Sequence, residues 1–181
     1  MDRKFLFLLG SGRKGGNTET LTREAAAQLP PEVNQNWIRF SDVQLPPFED
    51  GRHEGTKVAE YVEHEEFLLN ATLDATDIVI ASPTYWYTVS SATKLYLDYW
   101  SGWLHAPGAD FRTRMKGKKL WAVSVLAEEP EQADALIDTL RRCADYLHMD
   151  FGSVLLGNGS RPGDVLTDIP AMTSAKTFLA A

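Results

Sequence analysis

Cysteine is almost missing from this chain: its 181 residues contain one, Cys143. A single thiol excludes an internal disulfide, a cysteine-based zinc site and an iron–sulfur cluster. A reducing compartment is the simplest setting for such a sequence. Histidine is sparse too. His53, His64, His105 and His148 are scattered without metal-ligand spacing and read as ordinary surface, although His105 falls in a loop near the candidate site described below. Positive charge is in deficit, with 18 Lys and Arg against 25 Asp and Glu. That balance argues against a nucleic-acid partner, whose phosphates are held largely by Lys and Arg. No apolar run approaches the ~20 residues of a membrane span. The run Phe5–Leu9 is too short for a secretory signal, and no small-residue cleavage site follows it. A cytoplasmic protein with no membrane partner is expected.

With 44 % hydrophobic residues, the chain is long enough to bury one full core, and we read residues 1–181 as a single domain. Five apolar runs alternate with helical patterns. Strands are expected at Lys4–Leu9, Asn36–Phe40, Asp77–Ala81, Leu120–Leu126 and Ser153–Leu156. The first helix is expected to start at Asn17 or Thr18, with Asn17 as N-cap, and to stop before Pro30-Pro31. A second is expected over about Val58–Leu73. A third carries Ala92, Leu95, Tyr96, Tyr99, Trp100 and Trp103 at i, i+3, i+4, i+7, i+8 and i+11. His105–Lys119 reads as a long loop. Pro130 suits the start of a helix with Leu136, Leu140 and Leu147 on its face, Glu128 and Glu129 read as beginning a helix and not as acids, and Pro170 opens the last helix. Cys143 lies beside the apolar face and reads as a partly buried small hydrophobe. Strand–helix alternation implies a parallel sheet covered on both faces. Five strands fit a flavodoxin-like three-layer α/β fold of order 2-1-3-4-5 better than a six-stranded Rossmann domain.

In such a sheet the ligand crevice lies beyond the carboxyl ends of strands 1 and 3, where the strand order reverses. The two most unusual loops in the sequence follow those strands. The first, "GSGRKGGNT", contains a literal G-x-G-x-x-G, Gly10–Gly15. As a dinucleotide fingerprint it fits poorly, because Gly15-Gly16 would weaken a helix starting there and Asp42 lies 27 residues past Gly15, not the usual ~20. It suits a terminal phosphate better. Glycines let backbone N–H groups converge, Ser11, Asn17 and Thr18 add short donors, Arg13 can offset a dianion, and the helix behind supplies its positive dipole end. The second loop, Pro83-Thr84-Tyr85-Trp86-Tyr87, puts three aromatics where the chain is leaving the sheet. A flat apolar ligand such as a flavin uses such a surface. For Tyr87 a subunit contact or a packed turn is as good a reading.

"GSGRKGGNTETL" resembles the phosphate loop of the NAD(P)H-dependent FMN reductases, commonly Gly-Ser-Pro-Arg-Lys-x-Gly-Asn-Thr, and "SPTYWYTVSSATKLYLDYW" resembles that family's second loop and following helix. "DVQLPPFEDG" and "RPGDVL" are similar to its loop after strand two and its C-terminal turn, so the likeness spans roughly Lys4–Phe178. The resemblance implies a flavodoxin-like fold, bound FMN, and two-electron transfer from NADPH or NADH to a small acceptor such as a quinone. By position, Ser11, Arg13, Gly16, Asn17 and Thr18 would hold the FMN phosphate, and Pro83, Thr84, Tyr85 and Trp86 would line the isoalloxazine. No acid–base residue is nominated. Two departures are visible: Gly12 stands where relatives often have proline, and "VLAEEP" after strand four lacks the glycines often present there. The resemblance also implies a homodimer, with the His105–Arg114 loop, Trp103 and Phe111 as candidates for its interface and for substrate contact. Two other readings stay open: a flavodoxin-like electron carrier without nicotinamide activity, and a Rossmann-type nicotinamide binder without flavin.

Overall fold

The fold was analysed on a computed structural model, which describes residues 2–50 and 63–180. Five parallel strands, β1 (Lys4–Leu9), β2 (Asn34–Arg39), β3 (Asp77–Ala81), β4 (Lys119–Leu126) and β5 (Asp150–Asn158), form one sheet of order β2-β1-β3-β4-β5. The helices are α1 (Asn17–Ala26), α2 (Glu63–Asp74), α3 (Ser91–Trp103), α4 (Phe111–Met115), α5 (Asp134–Tyr146) and α6 (Ile169–Phe178). This is the flavodoxin-like order expected from the sequence.

Alternate residues of β1 face opposite layers, as strand geometry requires. Phe5, Phe7 and Leu9 pack with Leu21 and Ala25 of α1 and Ala171, Ala175 and Phe178 of α6. Leu6 and Leu8 pack with Leu68 and Leu69 of α2, Tyr96 and Trp100 of α3 and Leu136 and Leu140 of α5. The chain steps outward from β1 to β2 and then back past β1 to β3. With crossovers of one hand, that reversal requires α1 to lie on the face opposite α2 and α3, as it does. The loops after β1 and β3 therefore diverge from neighbouring strand ends, Leu9 and Ala81 being direct register partners.

Several expected boundaries shift for physical reasons. β2 runs from Asn34, not Asn36, and ends at Arg39, because register with β1 pairs Lys4 with Asn34 and Leu9 with Arg39. Its first three residues are exposed polar positions of an edge strand, where side-chain pattern is silent. β5, the other edge, spans Asp150–Asn158 and not only Ser153–Leu156, with a register irregularity opposite Leu120–Ala122. The expected loop His105–Lys119 contains α4, whose Phe111 and Met115 are buried. Trp103 and Phe111 meet edge to face at 5.5 Å, inside an aromatic cluster with Tyr96, Tyr99 and Trp100. They are core residues, so the expectation that they contact a substrate or a second subunit is corrected. The helix signalled by Pro130 opens as a 3₁₀ turn, Pro130–Ala133, and continues as α5. The part of the second expected helix before Glu63 falls outside the described residues, as does His53.

Candidate functional site

The crevice is set by one close approach. The Gly10 N–H donates to the Ala81 carbonyl at 2.8 Å, continuing the β1–β3 pairing into the loop. A Cβ at Gly10 would stand 2.1 Å from Thr93 Oγ1 and 2.9 Å from Ser90 Oγ, so only glycine lets the start of α3 lie against the loop. Ser90 caps α3, its Oγ accepting from the Thr93 N–H, while the Ser90 N–H donates to Ser82 Oγ at 2.9 Å. Ser82, Ser90 and Thr93 are buried. This polar cluster ties the loop after β1, the end of β3 and the start of α3 into one unit.

Beyond Gly10 the first loop turns tightly. Ser11 Oγ accepts from the Arg13 N–H at 3.1 Å. Gly15 sits at φ +66°, where an L side chain is strained. Gly16 is the N-cap of α1, in extended backbone, and no side chain caps the helix. Asn17, expected as the cap, is instead the first helical residue, and its amide is used elsewhere. Its Nδ2 donates to the Arg161 carbonyl at 2.8 Å, and its Oδ1 accepts from the Gly163 N–H at 2.9 Å. Asn17 thus clamps the loop to the C-terminal turn after β5, a link that separation in sequence conceals. Thr18 is buried at 3 % exposure, and Arg13 and Lys14 are exposed. An N-terminal turn with no side-chain cap leaves orphan N–H donors and a positive dipole end. That arrangement suits an anion. Asp42, the position of a ribose-binding acid in the dinucleotide reading, lies 3.7 Å from Lys14 Nζ.

Sequence reasoning gave no role to Glu19 or Arg39. Glu19, 5 % exposed, accepts from the Gly15 N–H at 2.8 Å and from Arg39 Nη2 at 2.6 Å on Oε2, and from Arg23 on Oε1. Burial alone pushes its carboxyl up, but the bonds from Arg39, the Gly15 N–H and Arg23 outweigh it and hold the group at about 2.

The second loop also begins under strict control. Ser82 and Thr84 N–H groups donate to the Val123 and Val125 carbonyls, extending the β3–β4 ladder, and Thr84 Oγ1 pairs with Ser124 Oγ at 2.9 Å. Pro83 is buried. Tyr85 and Thr88 then bond reciprocally through their backbones, with Trp86 at φ 48° and Tyr87 at φ 70° between them. Positive φ at both central residues is the type I′ pattern, normally the province of Asn and Gly. Here two bulky aromatics carry it, and such strain at a surface turn points to function. Trp86 is 91 % exposed, with Tyr85 and Tyr87 about half exposed beside it. Ser11, Arg13, Gly16, Asn17 and Thr18 therefore lie on one side of the crevice mouth, and Pro83, Thr84, Tyr85 and Trp86 leave the neighbouring strand.

Elsewhere, Cys143 is partly buried and its thiol is pushed up by burial. His64 Nδ1 lies 3.0 Å from the Gln44 carbonyl, and His105 and His148 are exposed. Among the described residues no three acidic, His or Cys side chains cluster as metal ligands, and no helix is long and apolar enough to cross a membrane.

The sheet order and the crevice at its switch point define a flavodoxin-like α/β protein. Residues 3–154 match the family described as NADPH-dependent FMN reductase, and the chain belongs to that family. It is accordingly an FMN-dependent oxidoreductase that draws on NAD(P)H. Over 178 residues it is 29 % identical to YwqN of Bacillus subtilis (strain 168), named as a candidate NAD(P)H-dependent FMN-containing oxidoreductase, with 97 % of this chain and 96 % of that one covered. The structure of the Trp repressor binding protein from Bacillus subtilis superposes with a TM-score of 0.77 at 25 % identity, covering 97 % of each chain. An FMN-dependent NADH-azoreductase from Bacillus anthracis str. Ames Ancestor, solved in complex with FMN, shares the fold at a TM-score of 0.64 and 12 % identity, covering 96 % of each chain.

Two measurements check the site's energetics. Replacing the strained pair by Trp86→Asn and Tyr87→Gly is expected to raise the free energy of unfolding by about 1–2 kcal/mol. Urea titration reads the gain, and an unchanged or lower stability contradicts the strain. Glu19 is held below its ordinary value of 4.5, so its contribution is complete above that pH and is lost as the pH falls toward about 2. At neutral pH, Glu19→Gln is expected to cost about 1–3 kcal/mol, the range for losing hydrogen bonds to a charged group. The gap to the parent protein should narrow as the pH drops below Glu19's ordinary value; a gap independent of pH contradicts the assignment.

Proposed function

We propose that the loop after β1 holds the FMN phosphate and that the loop after β3 carries the isoalloxazine. The observation that supports this most is the pairing, at neighbouring strand ends, of an N-terminal helical turn without a side-chain cap and a strained aromatic turn. On this reading Gly16, Asn17 and Thr18 present backbone N–H groups, since the Asn17 amide is engaged by the C-terminal turn. Ser11 adds its hydroxyl and Arg13 its guanidinium, which matches a phosphate bidentately. Pro83, Thr84, Tyr85 and Trp86 shape the floor beneath the ring. Thr84 contributes through its backbone, because its hydroxyl is held by Ser124. When bound, FMN supplies the hydride chemistry; the chain's part is to hold, orient and shield.

The acceptor we infer is a small, flat, reducible molecule such as a quinone or azo compound. The azoreductases that share the fold give this reading its direction. Trp86 and Tyr87 present a large exposed aromatic surface beside the ring's proposed position. A face of that kind is ordinarily covered by a partner, which favours a homodimer in which the exposed turn is shared. A cytoplasmic location accords with the single cysteine.

Anaerobic addition of NADPH or NADH to the FMN-loaded protein tests the reading. Rapid loss of the oxidised-flavin absorbance, restored by a quinone, is expected; flavin that stays bound and oxidised contradicts it and favours the electron-carrier alternative. Arg13→Ala is expected to weaken FMN binding by about 1.5–3 kcal/mol, measured by quenching of flavin fluorescence. Unchanged affinity would remove Arg13 from the site.

A further inference from the structure

We propose that Glu19 and Arg39 are positioning residues that lock the Arg13–Gly15 turn in its phosphate-binding shape. The proposal rests on the reading of residues 11–18 as the phosphate loop. Arg39 closes β2 on the far side of that loop, and its side chain is only 10 % exposed. One guanidinium spans the turn: Nη1 donates to the Arg13 carbonyl at 3.2 Å, while Nη2 donates to Glu19 Oε2 at 2.6 Å. The same carboxylate oxygen accepts the Gly15 N–H at 2.8 Å. The carbonyl at the turn's start and the N–H at its end are thus tied to one ion pair, and that pair is anchored in α1 and β2.

Two physical arguments give this brace a role beyond general stability. First, Glu19 already has an i,i+4 partner in Arg23, so a second guanidinium from another element is not needed to satisfy it. What Arg39 adds is the bond to the Arg13 carbonyl. Secondly, the turn lies in a loop with four glycines, Gly10, Gly12, Gly15 and Gly16, and Gly15 is at positive φ, so its unbraced form has many conformations to lose when a ligand orders it. Ordering the loop in advance removes that cost from binding. The pair is also neutral as a unit. Among the described residues Arg23 and Arg39 both lie on Glu19, Asp42 lies 3.9 Å from Arg39 and 3.7 Å from Lys14, and Arg13 is in no ion pair, which places it to answer the phosphate charge.

The test compares FMN with riboflavin, which carries the same ring without the phosphate. Both are titrated against the full-length parent protein, Glu19→Gln/Arg39→Met, and Arg39→Lys. The double variant removes one charge of each sign, so net charge is conserved while the brace is lost, together with the Arg23–Glu19 pair and the Arg39–Asp42 contact, whose general effects the riboflavin titration reads. It is expected to weaken FMN about tenfold or more while riboflavin affinity stays constant. An FMN-to-riboflavin preference equal to the parent's overturns the proposal, as does equal weakening of both ligands, which marks a general effect on the fold. If the double variant does not fold, Arg39→Lys decides. It keeps the charge but sets one shorter-reaching nitrogen where the guanidinium uses two, Nη1 on the Arg13 carbonyl and Nη2 on Glu19, so a smaller, phosphate-dependent loss is expected, and no loss overturns the brace. A parent protein that binds riboflavin as tightly as FMN would overturn the phosphate-loop reading itself, and the brace with it.

Discussion

The site depends on the missing side chain of Gly10. Because nothing projects there, Thr93 and Ser90 reach the loop, and a buried polar cluster fastens β1, β3 and α3 together. Any Cβ would have to displace a hydroxyl at 2.1 Å, in an interior packed too closely to absorb it. The reversal of strand order puts the two loops side by side, and this contact fixes how they diverge. The helix start on one side and the aromatic turn on the other both inherit their positions from it.

The two loops are held by different means. The loop after β1 is short of side chains and rich in glycine, so its order comes from outside: Glu19 and Arg39 on one flank, Asn17 and the C-terminal turn on the other. The aromatic turn orders itself through a reciprocal backbone pair, at the expense of two residues in a conformation that disfavours them. Such an arrangement exchanges stability for a rigid aromatic surface next to the crevice. In the proposed site that surface lies beside the isoalloxazine.

The layered fold was legible in the sequence because β1, β3 and β4 are buried on both faces and read as continuous apolar runs. The edge strands were less so: Asn34, Gln35, Asp150 and Phe151 lie outside the expected strands and owe their place to backbone register with Lys4, Phe5, Lys119 and Leu120. α4 escaped notice because five residues give no period, and its Phe111 belongs to the core through contacts with Trp100 and Trp103. The candidate loops stood out for their glycines and aromatics. The bracing pair did not: a Glu in a helical first turn and an Arg ending an edge strand are ordinary alone, and only the fold brings them within 2.6 Å. The Asn17 clamp, 144 residues from its acceptor, was invisible for the same reason.

The central claim is that one crevice, between the ends of β1 and β3, takes the phosphate at α1 and the flavin ring at the aromatic turn. A crystal structure of the protein with FMN tests it most directly. The account predicts the phosphate against Ser11, Arg13 and the first N–H groups of α1, with the isoalloxazine along Pro83–Trp86. A phosphate bound away from the start of α1, or a ring that leaves the Pro83–Trp86 loop untouched, would contradict it.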